Sequence, residues 1–323
     1  MAKYISLLLL LTVVLACGSE NEESVDVSSV QVDFTIDRFD IDFYTSTAHT
    51  LPKTKEKYPF FFASNDPDSV WINKINDADE RALFDETQKL YHDISFLSIE
   101  LELLFQHIKY YFPKFKTPKV ITLLSNIDYL NKVLYTKDYL LISLDVYLGA
   151  EHVFYVDFPA YIKQNFVKKQ IIVDVANAMI SDMLGKGTPN RNFVSKMIQE
   201  GKKQYLFDRY LPTTTDANKI GFSDEKYAWA VANEEQIWKY FIEHELLFST
   251  DAKLEKRFLD DAPFSKFYRS EDARSPGRIG AWMGWQIVRS YMKYNDVSLQ
   301  ALIDTSTEEI YKKSKYKPKK KWQ

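Results

Sequence analysis

The chain has 323 residues, 46% of them hydrophobic and 27% charged, with a formal net charge of −3. This balance is ordinary for a globular protein and gives no general attraction to nucleic acid, so no nucleic-acid partner is expected. Nine glycines are too few for a turn-rich β-sandwich or a β-helix, and no internal repeat is present.

The amino end carries Lys3, then an apolar run from Ile5 to Ala16, then Cys17 directly after Val14-Leu15-Ala16. Twelve residues of helix span about 18 Å, short of the roughly 30 Å hydrocarbon core of a bilayer. Residues 1–16 therefore read as a secretory signal rather than a membrane span. Cys17, the single cysteine of the chain, stands where a bacterial lipobox places the lipidated residue. Attached acyl chains would hold the protein on a membrane without a spanning helix. Residues 17–29, rich in Glu and Ser, read as an acidic tether.

Residues 30–311 read as one globular unit. Val30 to Tyr44 alternates apolar and polar residues with a switch of parity near Asp37, which predicts two short strands or a bulged one. Short helices are expected around Lys53–Tyr58, Asp66–Asn76 and Asp79–Leu90, and a longer one over Ile94–Tyr111, closed by Pro113. Strands follow at Val120–Leu124, Lys132–Tyr135 and Tyr139–Leu144. The remainder reads as helix: Phe158–Leu184, Asn192–Tyr210, Ser223–Phe248, Ile279–Tyr294 and two short terminal helices. The fold class is α+β, predominantly helical, with a small sheet packed against long helices. Residues 312–323 form a lysine-rich tail with seven lysines between Lys312 and Lys321, read as a solvated end or as a dock for an anionic surface.

Glu243-His244-Glu245-Leu246-Leu247-Phe248 spells four-fifths of the HExxH zinc motif. In that motif two histidines four apart on a helix face one metal, and the glutamate polarises its water. Here the fifth position is Phe248, and the five histidines, at 49, 92, 107, 152 and 244, include no pair three or four apart. Ile237, Phe241, His244 and Phe248 recur at helical spacing, so His244 is expected to border the core. Glu234, Glu235, Glu243 and Glu245 read as a solvated flank. No cofactor is expected.

Four segments carry a resemblance: Leu141 to Ile162, Ile171 to Gly187, Phe193 to Pro212 and Ser275 to Tyr294. Within them stand the run from Leu144 to Gly149, the stretch His152 to Tyr155, and Gly-Arg-Ile-Gly-x-Trp-x-Gly-Trp beginning at Gly277. Together with the lipobox they resemble the gliding-motility lipoprotein GldB family, over nearly the whole mature chain. That family is in turn similar to predicted zinc peptidases of the zincin fold. Those place HExxH on one helix and a glutamate ligand on the next, about twenty residues later.

The matching window here is Ala176 to Ile180, with Glu200 at the later position and no histidine between His152 and His244. The resemblance thus implies a zincin-like frame with the metal site erased, leaving Asp174, Asn177 and Glu200 as remnants. Ile172, Val175, Ala176, Met179 and Met183 form an apolar stripe that holds the first helix by packing alone. Glu200 either faces the emptied site, paired with Lys202, Lys203 or water, or lies exposed near its helix start. Gly280 and Gly284 would let a neighbouring helix approach closely. Arg278 is placed to pair with a buried carboxylate, Asp145 being one candidate, and His152 to anchor a strand-to-helix turn.

The resemblance implies a non-catalytic lipoprotein of the gliding machinery and its associated secretion system, anchored through its lipid in the outer membrane and acting on other envelope proteins. Two alternatives stand beside it. One is an unusual hydrolase using Asp174, Glu200 or His152. The other is a glycan- or peptidoglycan-binding lipoprotein, suggested by 22 Phe, 21 Tyr and 6 Trp.

Overall fold

Alternate side chains of one short strand decide the layering. In Lys119–Leu123, Val120 faces a large core and Ile121 a smaller one, as the pleat requires. The computed structural model describes residues 25–64, 66–185 and 191–319, so Cys17 and the expected signal segment lie outside the described residues. Four strands form one mixed sheet: β1 (Ile36–Arg38), β2 (Lys119–Leu123), β3 (Val133–Tyr135) and β4 (Tyr139–Ser143), in the order β1-β2-β4-β3. β1 and β4 both run parallel to β2, with Ile36 opposite Val120 and Val120 opposite Leu140; β3 is antiparallel to β4. About 57% of the chain is helical, and the class is α+β.

The smaller layer holds α1 (Phe39–Tyr44), α2 (Leu51–Lys57), α3 (Asp68–Asn76) and α4 (Ala78–Tyr91). Its core is aromatic: Phe43, Tyr44, Tyr58, Phe62 and Phe84 pack with Ile121. The larger layer holds α5 (Ser95–Tyr111), α6 (Ala160–Lys163), α7 (Ile171–Leu184), α8 (Phe193–Tyr210), α9 (Asp216–Ile220), α10 (Asp224–Ala232), α11 (Glu234–Glu243), α12 (Lys253–Phe258), α13 (Ile279–Tyr294), α14 (Leu299–Asp304) and α15 (Thr307–Lys313). Its axis is the pair α8 and α13. Gly284 lies directly on α8, where an added Cβ would fall 1.7 Å from the Met197 carbonyl oxygen. Gly201 returns the contact, its own Cβ position being 2.2 Å from the Gly284 carbonyl. Gly280 faces elsewhere, toward Phe258 and Leu259.

Several expectations are corrected. The second half of Val30–Tyr44 is helix, not strand. Asp40 and Asp42 sit in its first turn, where the helix dipole favours them. Phe39 and Phe43 stack one turn apart at 5.3 Å, and Arg38 grips the buried Asp40 carboxylate at 2.7 Å. The expected helix Phe158–Leu184 is broken, because Phe166 turns inward against Tyr155 and Phe158 and its carbonyl accepts from Gly149 N–H. Ser223–Phe248 is broken at Asn233, whose side chain donates to the Trp229 carbonyl.

Helix α11 then stops at Glu243, with Glu245 in the left-handed region at φ 54°. The apolar stripe is therefore cut: His244 is exposed, its ring tilted against Tyr240 at 4.2 Å, and Phe248 is 65% exposed. Glu234 is no solvated flank either. It is buried at 4% exposure and accepts from the Tyr316 hydroxyl at 2.8 Å. Packing thus continues past residue 311: the Ser290 hydroxyl bonds the Ser314 carbonyl, and Tyr316 packs edge-on against Trp238. At the other end Val27 is buried, inside the stretch read as tether.

Asp145 caps the end of the sheet. It is fully buried in the turn after β4, and its carboxylate accepts from the backbone N–H of Ser125 and Ile127, holding Asn126 and Ile127 at positive φ. Burial pushes its pKa up to about 6, against the lowering effect of those N–H groups. A folded-state value above the ordinary 3.8 means that the folded protein binds the extra proton. Its contribution to stability is complete below about pH 4 and lost as pH rises to about 6. The unfolding free energy from urea denaturation, followed across that window, should fall by about 3 kcal/mol more in the wild type than in Asp145→Asn. Parallel pH profiles for the two proteins would refute the assignment.

Candidate functional site

Helix α7 begins at Ile171 and turns its apolar face, Ile172, Val175, Ala176 and Met179, into the core. Its remaining face lines a cavity of about 790 Å³, together with α8, the turn at Gly221, the loop around Asp261 and the entry to α13. Asp174 and Asn177, one turn apart on α7, both line it. Asp174 is taken: the Lys132 ammonium, from the residue before β3, lies 2.7 Å from its carboxylate, and the Tyr147 hydroxyl donates to it at 2.9 Å. Burial pushes the Asp174 carboxyl above its ordinary range, and Lys132 is the chief opposing influence.

On α8, Glu200 stands at the rim. Its carboxylate is 3.6 Å from the guanidinium of Arg278, which also reaches Asp261 at 3.6 Å. Arg278 is fixed by its backbone, being left-handed at φ 54° just ahead of α13. The preceding Gly277 lies where a Cβ would meet the Ala262 carbonyl at 2.2 Å. Two expected pairings are thereby corrected. Arg278 pairs with Glu200 and Asp261, not Asp145, whose acceptors are used by backbone N–H groups. Lys202 does not reach Glu200; its ammonium turns to the other side of α8 and donates to the carbonyls of Ile303 and Thr305.

His152 sits apart from the cavity. Its Nδ1 accepts from Phe154 N–H at 3.3 Å, capping the turn Val153–Tyr155, and its Nε2 is 3.5 Å from Glu86. The structure therefore brings Asp174, Asn177 and Arg278 to one cavity, holds Glu200 beside it through Arg278, and leaves Asp145 and His152 elsewhere. Sequence reading missed Lys132, Gln204 and Lys226 as cavity residues, and weighed Lys203 only as a partner for Glu200. The spacing of Lys203, Gln204 and Phe207 at helical intervals was the available signal for α8. For Lys132 and Lys226 none existed, because neither lies on the helices that carry the resemblance.

With the geometry in place, the comparison with protein families decides the kinship: residues 20–318 match the family described as gliding motility protein GldB. The chain belongs to the GldB family. Comparison with curated proteins and comparison with solved structures each gave no match. As a member of the GldB family the chain is a lipoprotein related to gliding motility, and the envelope is its setting. No described helix is long and apolar enough to cross a membrane.

A zinc ion, which the expected zincin-like frame would imply, does not fit the residues of this GldB-family cavity. Among the described residues no three His, Cys, Asp or Glu side chains converge as metal ligands. The two carboxylates named as candidates, Asp174 and Glu200, are already matched by the fixed cations Lys132 and Arg278, which would repel a second positive charge.

Proposed function

We propose that this GldB-family lipoprotein is non-catalytic. It works as a membrane-anchored binding or assembly component of the gliding machinery and its associated secretion system, on a zincin-like frame. What supports this reading is the fate of the two remnant carboxylates. A metallopeptidase needs its ligands deprotonated and open toward one ion. Here Asp174 is held by Lys132 at 2.7 Å and Tyr147 at 2.9 Å, and Glu200 faces Arg278. The same pairing argues against the unusual hydrolase, since a general base must have a free lone pair aimed at the proton it takes. The glycan-binding alternative drew on aromatic content, and that content largely fills two cores, Trp282 and Trp285 included.

The test is complementation of a deletion strain, with metal content measured on the purified full-length protein. Glu200→Gln, accumulating to wild-type level, is expected to restore gliding, whereas Cys17→Ser, which removes the lipid site, is not. In-cell crosslinking from surface positions is expected to recover an envelope protein with the wild type. Loss of gliding in Glu200→Gln, together with stoichiometric zinc and peptide cleavage by the wild type, would overturn the non-catalytic reading.

A further inference from the structure

Most of the charge in the cavity is matched, and the remainder is informative. Lys132 is paired with Asp174, and Lys219 reaches past the wall to Asp208 at 3.0 Å and Asp216 at 3.4 Å. Two ammonium groups have no carboxylate partner. Lys203 makes no hydrogen bond or ion pair with any described residue, and Lys226 donates only to the carbonyls of Ala273 and Ser275, at 2.6 and 2.8 Å. Burial holds both below the ordinary lysine range, with Glu200 and Asp261 offsetting this in part for Lys203.

Beside Lys203, Gln204 is 1% exposed, lines the same cavity, and its buried Oε1 has no partner. An unpaired buried amide and an unpaired half-buried ammonium on adjacent residues each cost stability. No feature of the surrounding fold uses either group.

We infer that the cavity binds the end of a peptide chain, its free C-terminal carboxylate neutralising Lys203 and its peptide groups pairing with the side-chain amides of Gln204 and Asn177. Lys226 supplies a second positive charge to the same space. The class of ligand follows from the donors and acceptors. Ammonium groups that form no ion pair of their own, beside carboxylates already shared with Arg278, call for an anion. Carboxamides, each with a donor and an acceptor, match peptide N–H and C=O groups. The size agrees, since about 790 Å³ lies within the range of ligand cavities. The carboxylate could come from a partner protein or from a D-alanine-terminated wall peptide; the chemistry is shared. This inference rests on the non-catalytic reading above.

The test uses the full-length protein in detergent and three pools of random pentapeptides lacking Asp and Glu. One pool ends in an L-residue with a free carboxylate, one is the same pool C-terminally amidated, and one ends in D-alanine with a free carboxylate. Retention is read by mass spectrometry. At least one free-acid pool should be retained about tenfold better than the amidated pool. Lys203→Met should abolish the preference and Lys203→Arg should keep it. Lys203→Met should also melt no lower than wild type, so that loss of binding is not loss of fold. Preference for the L pool points to a protein partner, and preference for the D-alanine pool to the wall. Equal retention of acid and amide, or an unchanged preference in Lys203→Met, would overturn the inference. Peptides recovered cleaved would instead overturn the non-catalytic reading, so the two failures are distinguishable.

Discussion

Gly284→Ala is expected to cost roughly 3–5 kcal/mol, at the severe end for a single added methyl group. The added carbon would lie 1.7 Å from the carbonyl oxygen and 2.3 Å from the carbonyl carbon of Met197. Both are backbone atoms inside α8, so no rotamer change relieves the clash. The two helices must separate, and Trp282 and Trp285, both at 1% exposure or less, sit on the helix that has to move. Gly201→Ala is a matched case, with the Gly284 carbonyl 2.2 Å away. Because the two substitutions press on one seam, their costs should be non-additive, the double variant losing less than the sum. Chemical denaturation of the two single variants and the double one measures this. A loss under about 1 kcal/mol for Gly284→Ala would mean that the helices do not touch as described.

Arg289→Met is expected to cost roughly 3–4 kcal/mol at neutral pH, because it leaves two carboxylates short of a cation in a half-dry setting. Arg289 binds Asp208 through two nitrogens, both at 2.8 Å, and Asp216 through a third at 2.8 Å. Trp285 donates to Asp208 at 2.8 Å, Tyr227 to Asp216 at 2.9 Å, and the guanidinium lies 3.9 Å from the Trp285 ring centre. The cluster ties α8, α9, α10 and α13 together. Burial alone would raise the Asp216 carboxyl, yet Arg289 and Lys219 hold it below the ordinary range. A lowered folded-state value means stability present above about pH 4 and lost as pH falls further. The gap between wild type and Arg289→Met should therefore narrow in acid. Melting curves at pH 7 and pH 3.5 give the comparison, and a gap that widens in acid would contradict the pairing.

Helices with one clear apolar face were legible. The expected Ile94–Tyr111, Asn192–Tyr210 and Ile279–Tyr294 lie within a residue of α5, α8 and α13. The strands at Val120, Lys132 and Tyr139 were equally plain, since β-branched and aromatic runs between turn residues leave little choice. Phe39–Tyr44 was not, because six residues fit either period and two aspartates at a helix start decided the matter. The break at Phe166 depends on aromatic rings distant in sequence, which no local window contains. Gly284 announced a close approach without naming its partner, Gly201. At the site, Asp174, Asn177, Glu200 and Arg278 were picked out, but their pairings were not. A salt bridge between Lys132 and Asp174 is fixed by which strand ends beside which helix, and that is a property of the assembled sheet.

The sheet's wiring also sets a timetable. Among the described residues β1 pairs only with β2, and about eighty residues separate them in the chain. A polypeptide delivered from its amino end must keep Ile36–Arg38 unmatched until Lys119–Leu123 arrives, and such distant parallel pairing is intrinsically slow. During that wait the unpaired backbone of Ile36–Arg38 is open to other chains. Newly exported copies would thus be most vulnerable to aggregation before the segment beyond α5 emerges, and a holdase acting on the first hundred or so residues would protect them.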